Sequence, residues 1–176
     1  MRDWTIKFES WLKAHIPLGI SVERERVNLM LGLFLSALWA VVAYMGAYAM
    51  ALSDLYTTKN GKRILLLDSR MADFGQVFRF VPAGFLILIG LLVAKGFWFQ
   101  AYHRQGSMSI YLMRRLPDPR EYARRCWTLP LIGVGICLVL TEVTTAVCYL
   151  IYMKCTPASC LVPGQWMRFW SALIGR

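Results

Sequence analysis

From Val27 to Leu52 the chain runs for twenty-six residues without one charged side chain. About 20 apolar residues suffice for a helix to cross the hydrocarbon of a bilayer. A second apolar block, Phe80–Gln100, carries a single charge, Lys95, near its end. A third, Trp127–Met153, also carries one, Glu142. Three such blocks with the charge collected between them are the pattern of a polytopic, all-α integral membrane protein. Composition agrees: 57% of the 176 residues are hydrophobic and 17% charged, where soluble domains carry about 25% charged. A disordered chain is excluded, and an ordinary soluble enzyme is disfavoured. The first block is also too long for a signal-peptide core of about 7–15 residues, so it reads as a retained helix.

The remaining segments are short. Residues 1–26 place Trp4, Phe8, Trp11, Leu12 and His15 on one helical face with lysines beside it, which suits a helix lying in the membrane interface. Residues 53–79 contain Asn60-Gly61 between two runs. That dipeptide is a hairpin signal because both residues tolerate positive φ. Asp68 or Ser69 would then cap a short helix carrying Met71, Phe74 and Phe78, making a small extracellular cap. In the tail, 154–176, Trp166, Phe169, Trp170, Leu173 and Ile174 give a second interfacial helix after Pro163-Gly164. In residues 101–126 an apolar turn, Ile110-Tyr111-Leu112-Met113, precedes Arg114-Arg115 and the corner Leu116-Pro117-Asp118-Pro119. Asp118 can cap the following helix, and Pro119 suits its first position.

Lysine and arginine set the expected orientation. Residues 1–26 and the connection after the second span, counted from Lys95, together hold twelve; residues 53–79 and the tail hold eight. The positive-inside rule puts the N-terminus and 101–126 in the cytoplasm. The net charge of +10 is then read as basic loops against anionic headgroups rather than as a nucleic-acid surface. Cys155 and Cys160 fall outside, where they form a candidate disulfide pair.

Catalytic signatures are missing. The sequence has no HExxH, no Walker A loop and no GxSxG elbow. Its five cysteines form no CxxC and have no neighbouring histidine ligand, so neither a zinc site nor any other cofactor is expected. Cys126, Cys137 and Cys148 recur every eleven residues and read as small packing residues. Glu142 is the exception inside the spans. An ionisable group at span centre costs about 2.5–3.5 kcal/mol on insertion scales and so seeks a partner or a wet cavity. Thr145 and Tyr149 share its face by helical spacing. The stripe either lines a path, pairs with a basic residue of another subunit, or hydrogen-bonds a neighbouring helix as the neutral acid.

The stretch Ser107-Met108-Ser109-Ile110-Tyr111-Leu112-Met113-Arg114-Arg115-Leu116-Pro117, followed by Arg120-Glu121, resembles the first cytoplasmic loop of type 2 ABC exporter permeases. In that family a leucine-rich turn and an LP-x-x-R corner form the coupling helix that docks on the ATPase. The amphipathic N-terminal segment resembles the family's interfacial helix. Pro163-Gly164-Gln165-Trp166 with Trp170 is similar to endings of small Firmicutes membrane proteins. Those permeases have six spans and this chain three, so the resemblance is to their N-terminal half. It implies a non-catalytic half-size subunit that completes an exporter with other membrane chains and a separate ABC ATPase, or an accessory protein of such a complex. The implied ATPase contacts are Leu112, Met113, Arg114, Arg115, Leu116, Asp118 and Arg120. The rival expectation is a membrane-resident immunity or sensor protein whose cap, 53–79, captures a peptide.

Overall fold

A computed structural model describes residues 21–59, 62–65, 70–102 and 119–174. The chain is all-α apart from one small hairpin among these residues. The order is α1 (Val22–Ser53), β1 (Tyr56–Lys59), β2 (Lys62–Leu65), α2 (Phe74–Phe78), α3 (Ala83–Tyr102), α4 (Pro119–Cys155), a 3-10 turn (Ala158–Cys160) and α5 (Gln165–Ile174). Helices α1, α3 and α4 are long and apolar enough to cross a membrane. The expected N-terminal interfacial helix lies outside the described residues.

Helices α1 and α4 overrun the apolar blocks that announce them. Helix α1 has 32 residues, about 48 Å at 1.5 Å per residue. Its added first turn is Val22-Glu23-Arg24-Glu25. Acids there complement the unsatisfied amides and the positive end of the helix dipole. Helix α4 has 37 residues and runs through Pro130 without a break. It begins at Pro119, whose missing N–H costs nothing in a first turn.

The described residues divide into two compact units, one drawn from Met1–Leu35 and Phe85–Val139, the other from Ser36–Gly84 and Leu140–Arg176. In the first, the start of α1 runs antiparallel to the end of α3. Glycines let the helices approach there. A Cβ on Gly32 would lie 2.7 Å from Leu88 Cδ1, and one on Gly96 would meet the Trp127 ring at 3.0 Å. Phe85, Phe99, Cys126, Pro130 and Cys137 fill this core.

The second unit is built differently, with polar tips on aromatic side chains reaching backbone carbonyls. Tyr44 Oη donates to the Cys148 carbonyl at 2.9 Å, Tyr152 Oη to Ala72 at 2.7 Å, and Trp39 Nε1 to Phe80 at 3.1 Å. Ser36 Oγ donates to the carbonyl of Gly84 at 3.1 Å. A Cβ on Gly84 would lie 3.2 Å from Ser36 Cα, so this crossing brings backbone against backbone. Strands β1 and β2 pair antiparallel with Tyr56 opposite Leu65 and Lys59 opposite Lys62.

Helix α2 is where the expected cap differs in detail. The expected caps, Asp68 and Ser69, lie outside the described residues, and the helix starts at Phe74 with Asp73 at its N-cap. Asp73 makes no side-chain cap bond to its own helix. Its carboxylate instead accepts from Gln165 Nε2 at 3.2 Å and faces Arg168 at 3.7 Å. Gln165 Oε1 accepts the Phe74 N–H at 3.0 Å. The first residue of α5 therefore caps α2 from the other end of the sequence. Gly164, at φ +76°, makes the turn that delivers it.

Phe74 is the hub of this unit. Its ring lies 5.3 Å from Phe78, 5.3 Å from Tyr149, 5.6 Å from Tyr152 and 5.2 Å from Phe169. Such pairs add to the burial term when offset or edge-on. Helix α5 docks through Phe169, while Met167 on its other side is 77% exposed. Phe74→Ala should lower stability by about 3–5 kcal/mol, the usual range for emptying an aromatic core site. Unfolding in detergent micelles, followed by tryptophan fluorescence, measures the loss; a change below about 1 kcal/mol would deny Phe74 its central place.

Candidate functional site

The charges inside the apolar helices define the candidate site. In the first unit Lys95 Nζ donates to Glu25 Oε2. The side chains are 27% and 11% exposed respectively, so the pair is partly withdrawn from water. Lys95 also stands 5.6 Å above the Phe99 ring, within cation–π range. Below the pair opens a cleft of about 270 Å³ walled by leucines, among them Leu29, Leu35, Leu88 and Leu92, with Asn28 and Pro130 at its edge. A partly buried ion pair with apolar walls fixes helix register.

This pairing was not anticipated from the sequence. Lys95 reads by itself as a cation near a span end, free to snorkel to headgroups, and Glu25 as one of the polar residues that precede the first span. The usable signal is their placement: opposite charges close to the start of one apolar helix and the end of the next. An antiparallel pair of consecutive helices brings those positions together.

In the second unit the expected polar stripe of Glu142, Thr145 and Tyr149 is divided. Glu142 is exposed, Thr145 buried and Tyr149 half-buried. Thr145 Oγ1 donates to its own helix at the Thr141 carbonyl, 2.8 Å away. Tyr149 packs inward on Phe74 and lies 4.7 Å from the Trp166 ring. At about 3.6 residues per turn these three positions spread over part of a turn, and the edge of the packed face falls between Glu142 and the other two. The aromatic hub takes Tyr149, which leaves Glu142 pointing outward.

The remaining expected residues contribute less geometry. Leu112, Met113, Arg114, Arg115, Leu116 and Asp118 lie outside the described residues. Arg120 falls in the first turn of α4, with its side chain outside them. Cys155 and Cys160 are free thiols, the first exposed and the second buried. The Cys160 carbonyl accepts the Met71 N–H at 3.1 Å, so this residue helps hold the segment that enters α2. Cys126, Cys137 and Cys148 are each buried. Among the described residues no group of three or more His, Cys, Asp or Glu is placed to hold a metal ion. No protein family, curated protein or solved structure matches the chain.

The ion pair makes a sharp energetic prediction. Removing one partner strands the other charge in an apolar setting, whereas removing both strands nothing. Lys95→Met should cost about 1–3 kcal/mol of stability, below the range for fully buried pairs because water still reaches the lysine. The double variant Glu25→Leu with Lys95→Met should recover most of that loss. A double-mutant cycle in micelles reads the coupling; strictly additive losses would mean that the pair holds nothing together.

Proposed function

We propose that the chain is a non-catalytic, permease-like membrane subunit of an ABC-type export complex, with ATP hydrolysed on a separate protein. The observation that carries the subunit reading is the uncovered surface of the three long helices. Only 17%, 17% and 22% of their most apolar stretches are buried by the rest of the chain. Three helices so thinly covered do not by themselves enclose a polar path. A transport role therefore requires further membrane chains beside this one.

The non-catalytic reading is supported by what the apolar stretches contain. Residues 27–52, 83–94 and 126–153 hold one ionisable carboxyl, Glu142, and no lysine, arginine or histidine. No acid–base pair is available there for intramembrane chemistry. Attachment to an ABC ATPase rests on the loop likeness at Ser107–Pro117 with Arg120-Glu121. In this proposal Leu112, Met113 and Leu116 make the apolar contacts. Arg114, Arg115, Asp118 and Arg120 make the polar ones. The twelve-to-eight distribution of basic residues favours a cell-membrane protein with its N-terminus in the cytoplasm.

Peptide capture by the cap has less to draw on. Met71, Phe74, Val77 and Phe78, the apolar side chains such a cap would offer, are buried within the fold.

The test is copurification with an ABC ATPase co-expressed in the same membrane. Leu112→Asp combined with Leu116→Asp should weaken association and ATPase stimulation by about tenfold or more, as loss of central apolar anchors does at other interfaces. Unchanged association and unchanged stimulation would remove the ATPase from the proposal.

A further inference from the structure

Glu142 sits on the outward side of α4, and its neighbours give it no partner. Among the described residues no side chain forms a hydrogen bond or ion pair with its carboxyl. The Thr145 hydroxyl, three residues on, is engaged elsewhere: its Oγ1 donates to the Thr141 carbonyl at 2.8 Å. Around the carboxyl the exposed surface is apolar: Val143, Val147 and Leu150 are 53%, 48% and 59% exposed. Ala146, one turn on, is small and also exposed, which lets another helix come close.

We infer that Glu142 with Ala146 and its valine neighbours is a docking face for a different membrane chain, one whose spanning helix carries a lysine or arginine at the depth of Glu142. Charge complementarity selects this occupant over a second copy. A second copy with the same topology brings residues 27–52, 83–94 and 126–153 to the lipid-embedded zone. Those stretches contain no cation, so it could bring no positive charge to Glu142. Lys95 is already paired with Glu25. The missing positive charge must come from a chain of different sequence. This inference rests on reading the protein as one subunit of a heteromeric membrane assembly, and it names the chemistry of the neighbour.

The test uses the full chain in phosphatidylcholine vesicles, with a fluorescent donor on the exposed thiol of Cys155. The probes are acceptor-labelled single-span peptides, leucine-rich and identical except for a central Lys, Leu or Glu. The Lys peptide should associate about tenfold more tightly than the Leu peptide, the order expected of one interhelical polar contact in lipid. Glu142→Leu should abolish that preference. Glu142→Lys should reverse it, so that the Glu peptide becomes the preferred partner. The conservative Glu142→Gln, which keeps the shape and loses the charge, should remove most of the preference as well. Equal energy transfer from the native chain to the Lys and Leu peptides would overturn the inference. So would transfer between two copies of the chain that Glu142→Gln eliminates, since that identifies a second copy as the occupant. The vesicles contain no ATPase, so failure here leaves contact through Leu112 and Leu116 standing. Failure of that contact equally leaves this result unaffected.

Discussion

Hydrocarbon offers a peptide group no hydrogen-bond partner, and the rest of this architecture follows from that constraint. A segment such as Val27–Leu52, with no charge to return it to water, satisfies its own N–H and C=O groups by coiling. Once the backbone is satisfied internally, each polar side chain along the helix poses its own problem. Ser36, Trp39 and Tyr44 reach carbonyls on other segments, while Thr144 and Thr145 bond back to their own helix. A carbonyl has two lone pairs and accepts a second donor without giving up its helical bond. The hydroxyl and indole groups therefore tie helices together at little cost to the ladders beneath.

The two units use this constraint in different ways. In the first, glycine and leucine dominate the crossings: Gly32 receives Leu88, and a Cβ on Gly133 would lie 3.0 Å from Leu92. The binding force there is close apolar contact, with the Glu25–Lys95 ion pair to fix register. In the second, the crossings are aromatic and hydrogen-bonded, and the C-terminal helix closes the unit by capping α2 through Gln165. Gln165 is 3% exposed. Both ends of its amide are engaged, one on the Phe74 N–H and the other on Asp73. A buried amide satisfied at both ends specifies a single geometry, since any slip of α5 along α2 leaves a donor or acceptor unmet.

Local signals were legible in the sequence; long-range pairings were not. The three long helices follow from uninterrupted apolar length, and the hairpin from Asn60-Gly61 between two short runs. The amphipathic period of Trp166, Phe169 and Trp170 announces α5, and Phe169 is the member that becomes buried. What the period cannot say is against what. The same spacing serves a helix lying on lipid and a helix docked on Phe74. The cap of α2 was beyond sequence reading for a related reason. Capping rules look for a donor-satisfying side chain just upstream, and here it arrives from residue 165. Glu25 and Lys95 each had a sufficient local explanation, as polar lead and as snorkelling cation, so nothing in either segment demanded the other.

The contrast between Glu25 and Glu142 bears on how the chain is built to be used. Both carboxyls belong to long apolar helices, and the fold answers only one of them. Glu25 has a lysine brought to it by the antiparallel return of α3. Glu142 has Thr145 about one turn away, yet that hydroxyl is turned to the Thr141 carbonyl. Satisfying Glu142 internally would require turning α4 so that its carboxyl faced the packed side. That rotation would carry Thr145, Tyr149 and Tyr152 away from their sites and dismantle the aromatic hub around Phe74. Keeping that packing leaves α4 with Glu142 on its exposed side.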